Sequence, residues 1–483
     1  MQNNKERSIY NKMKKNINLL IICLLTYSII PAQIIINKNI EEVAVSANRA
    51  QSSQNIKNIQ IITLEEIENA PVQTIEDLLE YAMNVDIRQR SGQGVQADIS
   101  MRGGSFEQVL IMLNGVKLND PQTGHHNMDL PVSLEQIEKI EVINGGASRV
   151  FGNYAYTGAI NIITRTEMQN SINISSGENK FNSQSLNYHT KTRNLNHNIS
   201  LNHKKSDGYI NGMDYNISNY YYQLKTNIDK VDVLFNTGYT DKEFGAFSFY
   251  TPKYPDQFEI TKTTFASLQL KTNRKISIDN KLYWRKHSDE FILFRDNPSW
   301  YHNFHETNVL GIDMNIIQKV NNGTNVIGME IRTDNIISNV LGTELENPIE
   351  IDSTNFYLKG ASRTTTNLFL EKNITNGKFN ISAGIMMNID SEYGNEYFPG
   401  IDVSYIISEG TSIFTSYNKS MRNPNYTELY YLSPTNEGNI NLKSEHSINK
   451  EIGIKWKKNT HQTTITYYQR KGENMIDWIL ING

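Results

Sequence analysis

The chain has 483 residues, with 47 Lys and Arg against 51 Asp and Glu and a formal net charge of −4. That balance offers no field for nucleic acid, and a single cysteine leaves no disulfide framework and no cysteine-based metal site. A mean hydropathy of −0.51, with 26 Tyr against 17 Phe, fits a chain rich in amphipathic strands, long enough for about three ordinary domains or one large barrel with an attachment.

At the N-terminus, Lys12, Lys14 and Lys15 precede the apolar run Ile17 to Ile30, and Pro31-Ala32-Gln33 follows it. A basic start, a short apolar core and a small residue before a polar one predict a secretory signal over residues 1–33, cleaved near Ala32 or Gln33. Asn18, Thr26, Tyr27 and Ser28 interrupt the run, which falls short of the ~20 residues of a spanning helix. A buried N-terminal helix is the alternative. Cys23 sits within the run, between Ile22 and Leu24, so lipidation is not expected there. No later segment approaches a spanning helix, so membrane insertion of such a chain would use strands.

The stretch Ile40, Glu41, Glu42, Val43, Ala44, Val45, Ser46 and Ala47 has a short extended core, followed by polar residues as far as Asn58. No neighbouring segment offers a partner, and so short a strand is not stable alone.

From Ile59 to Thr166 the pattern predicts a compact α+β domain. Thr63 and Glu66 form a capping box. Thr74 caps a second helix in which Ile75, Leu78, Leu79 and Ala82 share a face. Strands are expected at Val85 to Arg88 and Ala97 to Met101, and Asn114-Gly115 in "QVLIMLNGVKL" is a hairpin turn. The strands "KIEVI" and "AINIIT" bracket a Gly-rich connection from Gly145 to Gly158.

After Glu167 the period becomes two. In "ISAGIMMNI" the residues Ile381, Ala383, Ile385, Met387 and Ile389 face one way; in "INKEIGIKWKK" Ile452, Ile454 and Trp456 oppose Glu451, Gly453, Lys455 and Lys457. One apolar and one polar face suits a half-solvated sheet or a lipid-facing barrel with a polar lumen. Tight turns at Asn322-Gly323 and Asn376-Gly377 contrast with long connections at Gly245 to Glu259 and Ser338 to Ser362. Short turns alternating with long loops favour the membrane barrel, and no fixed repeat marks propeller blades.

The stretches "MRGGSFEQVLIMLNGVKLNDPQTGHHNMDLPV" and "SLEQIEKIEVINGGASRVFGNYAYTGAINIITR" resemble the plug domain of TonB-dependent outer-membrane receptors. "RNPNYTELYY", "PTNEGN" and "LKSEHSINKEIGIKW" look like late barrel segments of that family. Within it the chain looks nearest to the cobalamin-receptor-like branch. The resemblance implies a mostly β fold: an N-terminal α+β plug inside an antiparallel transmembrane β-barrel, with a TonB box and flexible linker over 34–58, the plug over 59–166 and the barrel over 167–483. The family's plugged barrels have 22 strands; about fifteen or sixteen period-two segments can be counted here, so the barrel is expected to be incomplete.

Residues Ile40 to Ala47 are similar to the TonB box, a strand left unpaired until an energy-coupling partner captures it by strand addition. The family's plug usually has Arg-Gly-Pro at the Gly-rich turn; here Asn144-Gly145-Gly146 stands there, and part of the plug-to-barrel charge latch is expected to be missing. Arg102 in "MRGG" matches the other plug arginine, and Glu451, on the polar face by parity, is its expected partner; two separately solvated charges are the alternative. In the family, loops at the position of His125, His126 and Asn127 lie at the plug apex and touch ligand, though adjacent histidines are also ordinary loop residues. No acidic or cysteine companion at ligand spacing predicts a metal site. The aromatic loops "FGAFSFYTPKYP" and "NPSWYHNFH" suit a binding surface or a membrane girdle.

No catalytic motif such as GxSxG or HExxH is present, so neither an enzyme nor a cofactor is expected. The resemblance implies a Gram-negative outer-membrane receptor that imports a scarce bulky ligand, such as cobalamin or a ferric chelate. Its partners would be a TonB-type protein and outer-membrane lipids. A ligand sensor or a passive porin is the alternative.

Overall fold

A computed structural model describes residues 59–433, 436–458 and 461–479. The expected signal segment and residues 40–47 lie outside them.

The first region begins with β1 (Ile59–Ile62), α1 (Leu64–Asn69), α2 (Ile75–Leu79), β2 (Val85–Gln89) and β3 (Ala97–Met101). It continues with β4 (Val109–Leu113), β5 (Val116–Lys117), β6 (Ile137–Asn144), α3 (Ser148–Phe151) and β7 (Gly158–Thr164). Both early helices start on reciprocal capping boxes, Thr63 with Glu66 and Thr74 with Asp77. These satisfy backbone donors that the first turn leaves free. Asn114 and Gly115 both have positive φ, 52° and 75°, the geometry a two-residue hairpin demands. A five-stranded sheet in the order β1-β6-β7-β4-β5 results, with β2 and β3 paired apart from it. Strand β4 runs parallel to β7, and all five of its apolar residues are buried, as a strand covered on both faces requires.

The rest is a sixteen-stranded antiparallel sheet running from Ser171–Ser176 to His461–Glu473. Each strand pairs with its neighbours in sequence, except that Thr343–Glu350 pairs only with Phe356–Asn376. That hairpin corrects the expectation of a loop from Ser338 to Ser362. Its first strand contains Pro348, and Asn347 stands between Leu345 and Ile349. A proline within the run and a broken apolar stripe leave little period-two signal. Among the described residues no ladder joins the first and last strands.

The strand Ile276–Ile292 shows how the wall is built. Ile276, Ile278 and Leu282 are 54%, 43% and 50% exposed, whereas Asp279, Lys281, Arg285, His287 and Asp289 are buried. Apolar side chains point outward and charged ones point in. The outward series turns polar at Lys286, Ser288 and Glu290, so this end of the strand rises past the apolar band. One end of the sheet has two-residue turns at 193–194, 229–230 and 321–322; the other has the longer connections 246–257, 293–301 and 423–444. Outer-membrane barrels place long loops outside the cell, which orients the molecule. The plug fills the lumen, and Tyr221, Phe265, Tyr283 and Val309 of the wall join its apolar core.

Candidate functional site

The plug meets the wall through buried charge. Arg102 Nη1 donates to Glu451 Oε1 at 2.6 Å and Nη2 to Oε2 at 3.4 Å, with side chains 3% and 5% exposed. The structure therefore brings this sequence-expected pair together. Arg102 also lies 4.5 Å from the Tyr468 ring centroid. Gly145, at φ 84°, makes room for the carboxylate, because a Cβ there would collide with Glu451 Oε1. Asn144 carries no charge; its Oδ1 accepts from Asn84 Nδ2 at 3.2 Å.

Four further plug charges were not singled out from sequence. Arg149 is fully buried; its Nη2 donates to Asp402 at 2.7 Å, and its Nε lies 3.3 Å from Glu371. Lys117 pairs with Glu330, Asp120 with Arg285, and Asp129 with Lys242, the last at 2.6 Å. Burial alone would raise the Asp120 carboxyl, but Arg285 and the nearby histidines hold it well below the ordinary carboxylate range. Every barrel partner sits at an inward position of its strand. That parity was readable; which plug residue each one meets was not.

The loop 119–130 forms the outer end of the plug, and the structure separates its three candidate ligand contacts. His125 stacks on Phe106 at 4.4 Å and meets the edge of Tyr250 at 5.8 Å. Its Nδ1 lies 2.6 Å from Asp98, which also accepts from Arg90 at 3.2 Å. Burial would raise the Asp98 carboxyl; His125 and Arg90 outweigh it and hold it below its usual value. His126, 3% exposed, turns inward, with Nε2 3.6 Å from Asp289 and Nδ1 3.7 Å from Asp129. Burial would lower this imidazole, but the hydrogen bond and charge of Asp289 raise it to about 10. Asn127 is buried, and its Oδ1 accepts from the Asp120 backbone at 2.9 Å. Of the three, His125 alone keeps a partly open face toward the outer mouth. Glu259 and Asp289 reach His126 from the wall, from strands far along the chain.

Around that mouth the long loops contribute rings. Tyr254, Phe294 and Trp300 contact one another at 4.8 to 5.8 Å between centroids. Tyr250 meets Phe291 at 5.3 Å, and the Tyr301 and Tyr431 hydroxyls are 3.3 Å apart. Tyr250 and Trp300 remain 42% and 58% exposed. Such a surface offers apolar faces and polar edges together.

Comparison with known proteins agrees with this architecture. Residues 141–483 match the family described as TonB dependent receptor-like, beta-barrel, and residues 51–159 match the TonB-dependent receptor plug domain. The chain is 23% identical over 465 residues to the vitamin B12 transporter BtuB of Vibrio vulnificus, covering 91% of this chain and 71% of the relative. With the transporter of the same name from Vibrio cholerae it shares 24% over 474 residues, with the same coverages. The ferric enterobactin receptor of Pseudomonas aeruginosa superposes with a TM-score of 0.70 at 18% identity, over 89% of this chain and 73% of that one. The siderophore receptor PirA of Acinetobacter baumannii gives 0.68 at 16%, over 89% and 72%. An α+β plug inside an antiparallel barrel wall, with both family signatures in register, places this chain among the TonB-dependent receptors, a family of Gram-negative outer-membrane proteins.

Proposed function

We propose that the chain takes up a scarce, bulky ligand of the cobalamin or ferric-chelate class across the outer membrane, energised by a TonB-type partner that captures residues Ile40 to Ala47. Ligand docks on the aromatic mouth and His125. Traction on the N-terminal strand then remodels the plug, and an exported chain of this kind carries its signal over residues 1–33. The relatives' names support the ligand class: one group transports vitamin B12, and another binds ferric enterobactin.

One observation carries the reading. The plug occupies the lumen and is tied to the wall by buried ion pairs on several strands. Breaking such a pair strands a buried charge, at a cost of about 3–5 kcal/mol, so a route through the barrel needs outside work. A passive porin has no use for this arrangement.

Growth on limiting cobalamin and on limiting ferric enterobactin, with and without the gene, tests the proposal. Loss of growth on one of the two when the gene is deleted is expected. Unchanged growth on both would count against import of either class.

A further inference from the structure

Beyond ligand import, the outer end of the plug carries a second feature. His126 of loop 119–130, Glu259 of the strand Phe258–Thr272 and Asp289 of the strand Ile276–Ile292 converge, with one donor atom from each within 4.8 Å of the others. All three are buried. Each carboxylate has one oxygen engaged: Glu259 Oε2 accepts from the Tyr250 hydroxyl at 2.7 Å, and Asp289 Oδ2 from Gln122 Nε2 at 3.0 Å. The other oxygens, Glu259 Oε1 and Asp289 Oδ1, are buried with no hydrogen-bond partner. Leaving two carboxylate oxygens unsatisfied out of water is costly, and both belong to carboxylates that converge on the imidazole.

Four carboxylates face this space: Asp120, Asp129, Glu259 and Asp289. The permanent cations against them are Lys242, on Asp129, and Arg285, on Asp120. The remaining facing groups, His126, His287 and His305, are imidazoles.

We propose that His126 and the carboxylates of Glu259 and Asp289 form a site for one divalent transition cation of the zinc class, which clamps the plug loop to two barrel strands. Imidazole with carboxylate is a donor set that zinc accepts, at about 2.0–2.2 Å and with a fourth position open to water. The supporting groups are in place. Asp129 lies on the far side of the ring, 3.7 Å from Nδ1, and is itself fixed by Lys242 at 2.6 Å, so it orients the imidazole as carboxylates behind metal-bound histidines do. Tyr250 and Gln122 orient the two carboxylates. The alternative group His126, Asp129 and His287 is the poorer one, because Lys242 already neutralises Asp129 and His287 Nδ1 is engaged by Thr263 at 2.8 Å.

The test uses the full chain purified in detergent, stripped with chelator and dialysed against Zn2+ alone. Elemental analysis should find one tightly held equivalent, with affinity at least tenfold lower in the isosteric double variant Glu259→Gln/Asp289→Asn. A smaller loss, or no tightly held zinc in the parent protein, overturns the proposal. The zinc-edge X-ray absorption spectrum of the parent protein tests the same point with no variant. A shell of one imidazole nitrogen with oxygens is expected, and a shell of several imidazoles would assign the metal to other histidines and overturn the site.

Discussion

Plug and wall distribute their residues in opposite senses. In the plug, Leu78, Leu79, Ile111, Ile140 and Ile160 turn toward one another, and Arg102, Lys117, Asp120, Asp129 and Arg149 face out of its surface into the barrel. In the wall, Ile276, Ile278 and Leu282 face outward, and Lys281, Arg285 and Asp289 face in. The two bodies therefore meet across charge at these points, beside the apolar contact made by Tyr221, Phe265, Tyr283 and Val309. An apolar seam would gain free energy from every square ångström removed from water, whereas a buried ion pair gains little net once desolvation is counted. Charges parted by traction can be rehydrated as water enters. A seam of this kind fixes the plug in one place while keeping it removable.

The largest effect on the seam is expected at Arg149. It serves Asp402, Glu371 and Ser382 on three strands, so Arg149→Ala leaves buried carboxylates without their cation. Plug docking should weaken by about 3–5 kcal/mol, read as earlier protease access to the plug in urea. On the outer face a charge should be costly where its inward neighbour is tolerated. Leu282→Arg should destabilise the barrel by about 2–4 kcal/mol, measured as a lower denaturant midpoint in lipid, although Lys281 next to it is a native charge.

The Arg102 and Glu451 contact sharpens the same point. A double-mutant cycle on plug retention should give a coupling of about 1 kcal/mol or more; additive effects would mean that the seam does not depend on this pair. The smallest effect is expected with pH. The depressed Asp120 contributes stability that is fully present above its unfolded value of about 3.9 and is lost as pH falls toward its folded value. Plug retention should therefore weaken in acid below about pH 4, and Asp120→Asn should make that acid limb shallower in a pH series of protease protection.

Much of this was legible because it is local. Thr63 with Glu66, Asn114 with Gly115 and the alternation through Ile381 to Ile389 each depend on neighbours in the chain, and they fold as the spacing suggests. Parity even put Glu451 on the inner face. The hairpin from Thr343 to Asn376 escaped notice because Glu344, Glu346, Pro348 and Glu350 fill one face of its first strand, and Asn347 interrupts the other. The site was harder still. His125 and His126 are adjacent in sequence, but they sit in a 3₁₀ turn over Gly124–His126, where successive side chains diverge by about 120°. One reaches the mouth and the other enters the seam, where its acidic neighbours come from strands far along the chain.

The proposal that import requires traction on the plug through residues 40–47 can be tested by measuring ligand binding and ligand uptake on the same cells. Val45→Pro removes a backbone donor and fixes φ, which a strand added to a partner tolerates poorly. Val45→Thr keeps both the donor and the extended preference and serves as the control. Val45→Pro is expected to abolish uptake and leave surface binding at the parent level, with Val45→Thr unchanged in both. Uptake that survives Val45→Pro would contradict the proposal.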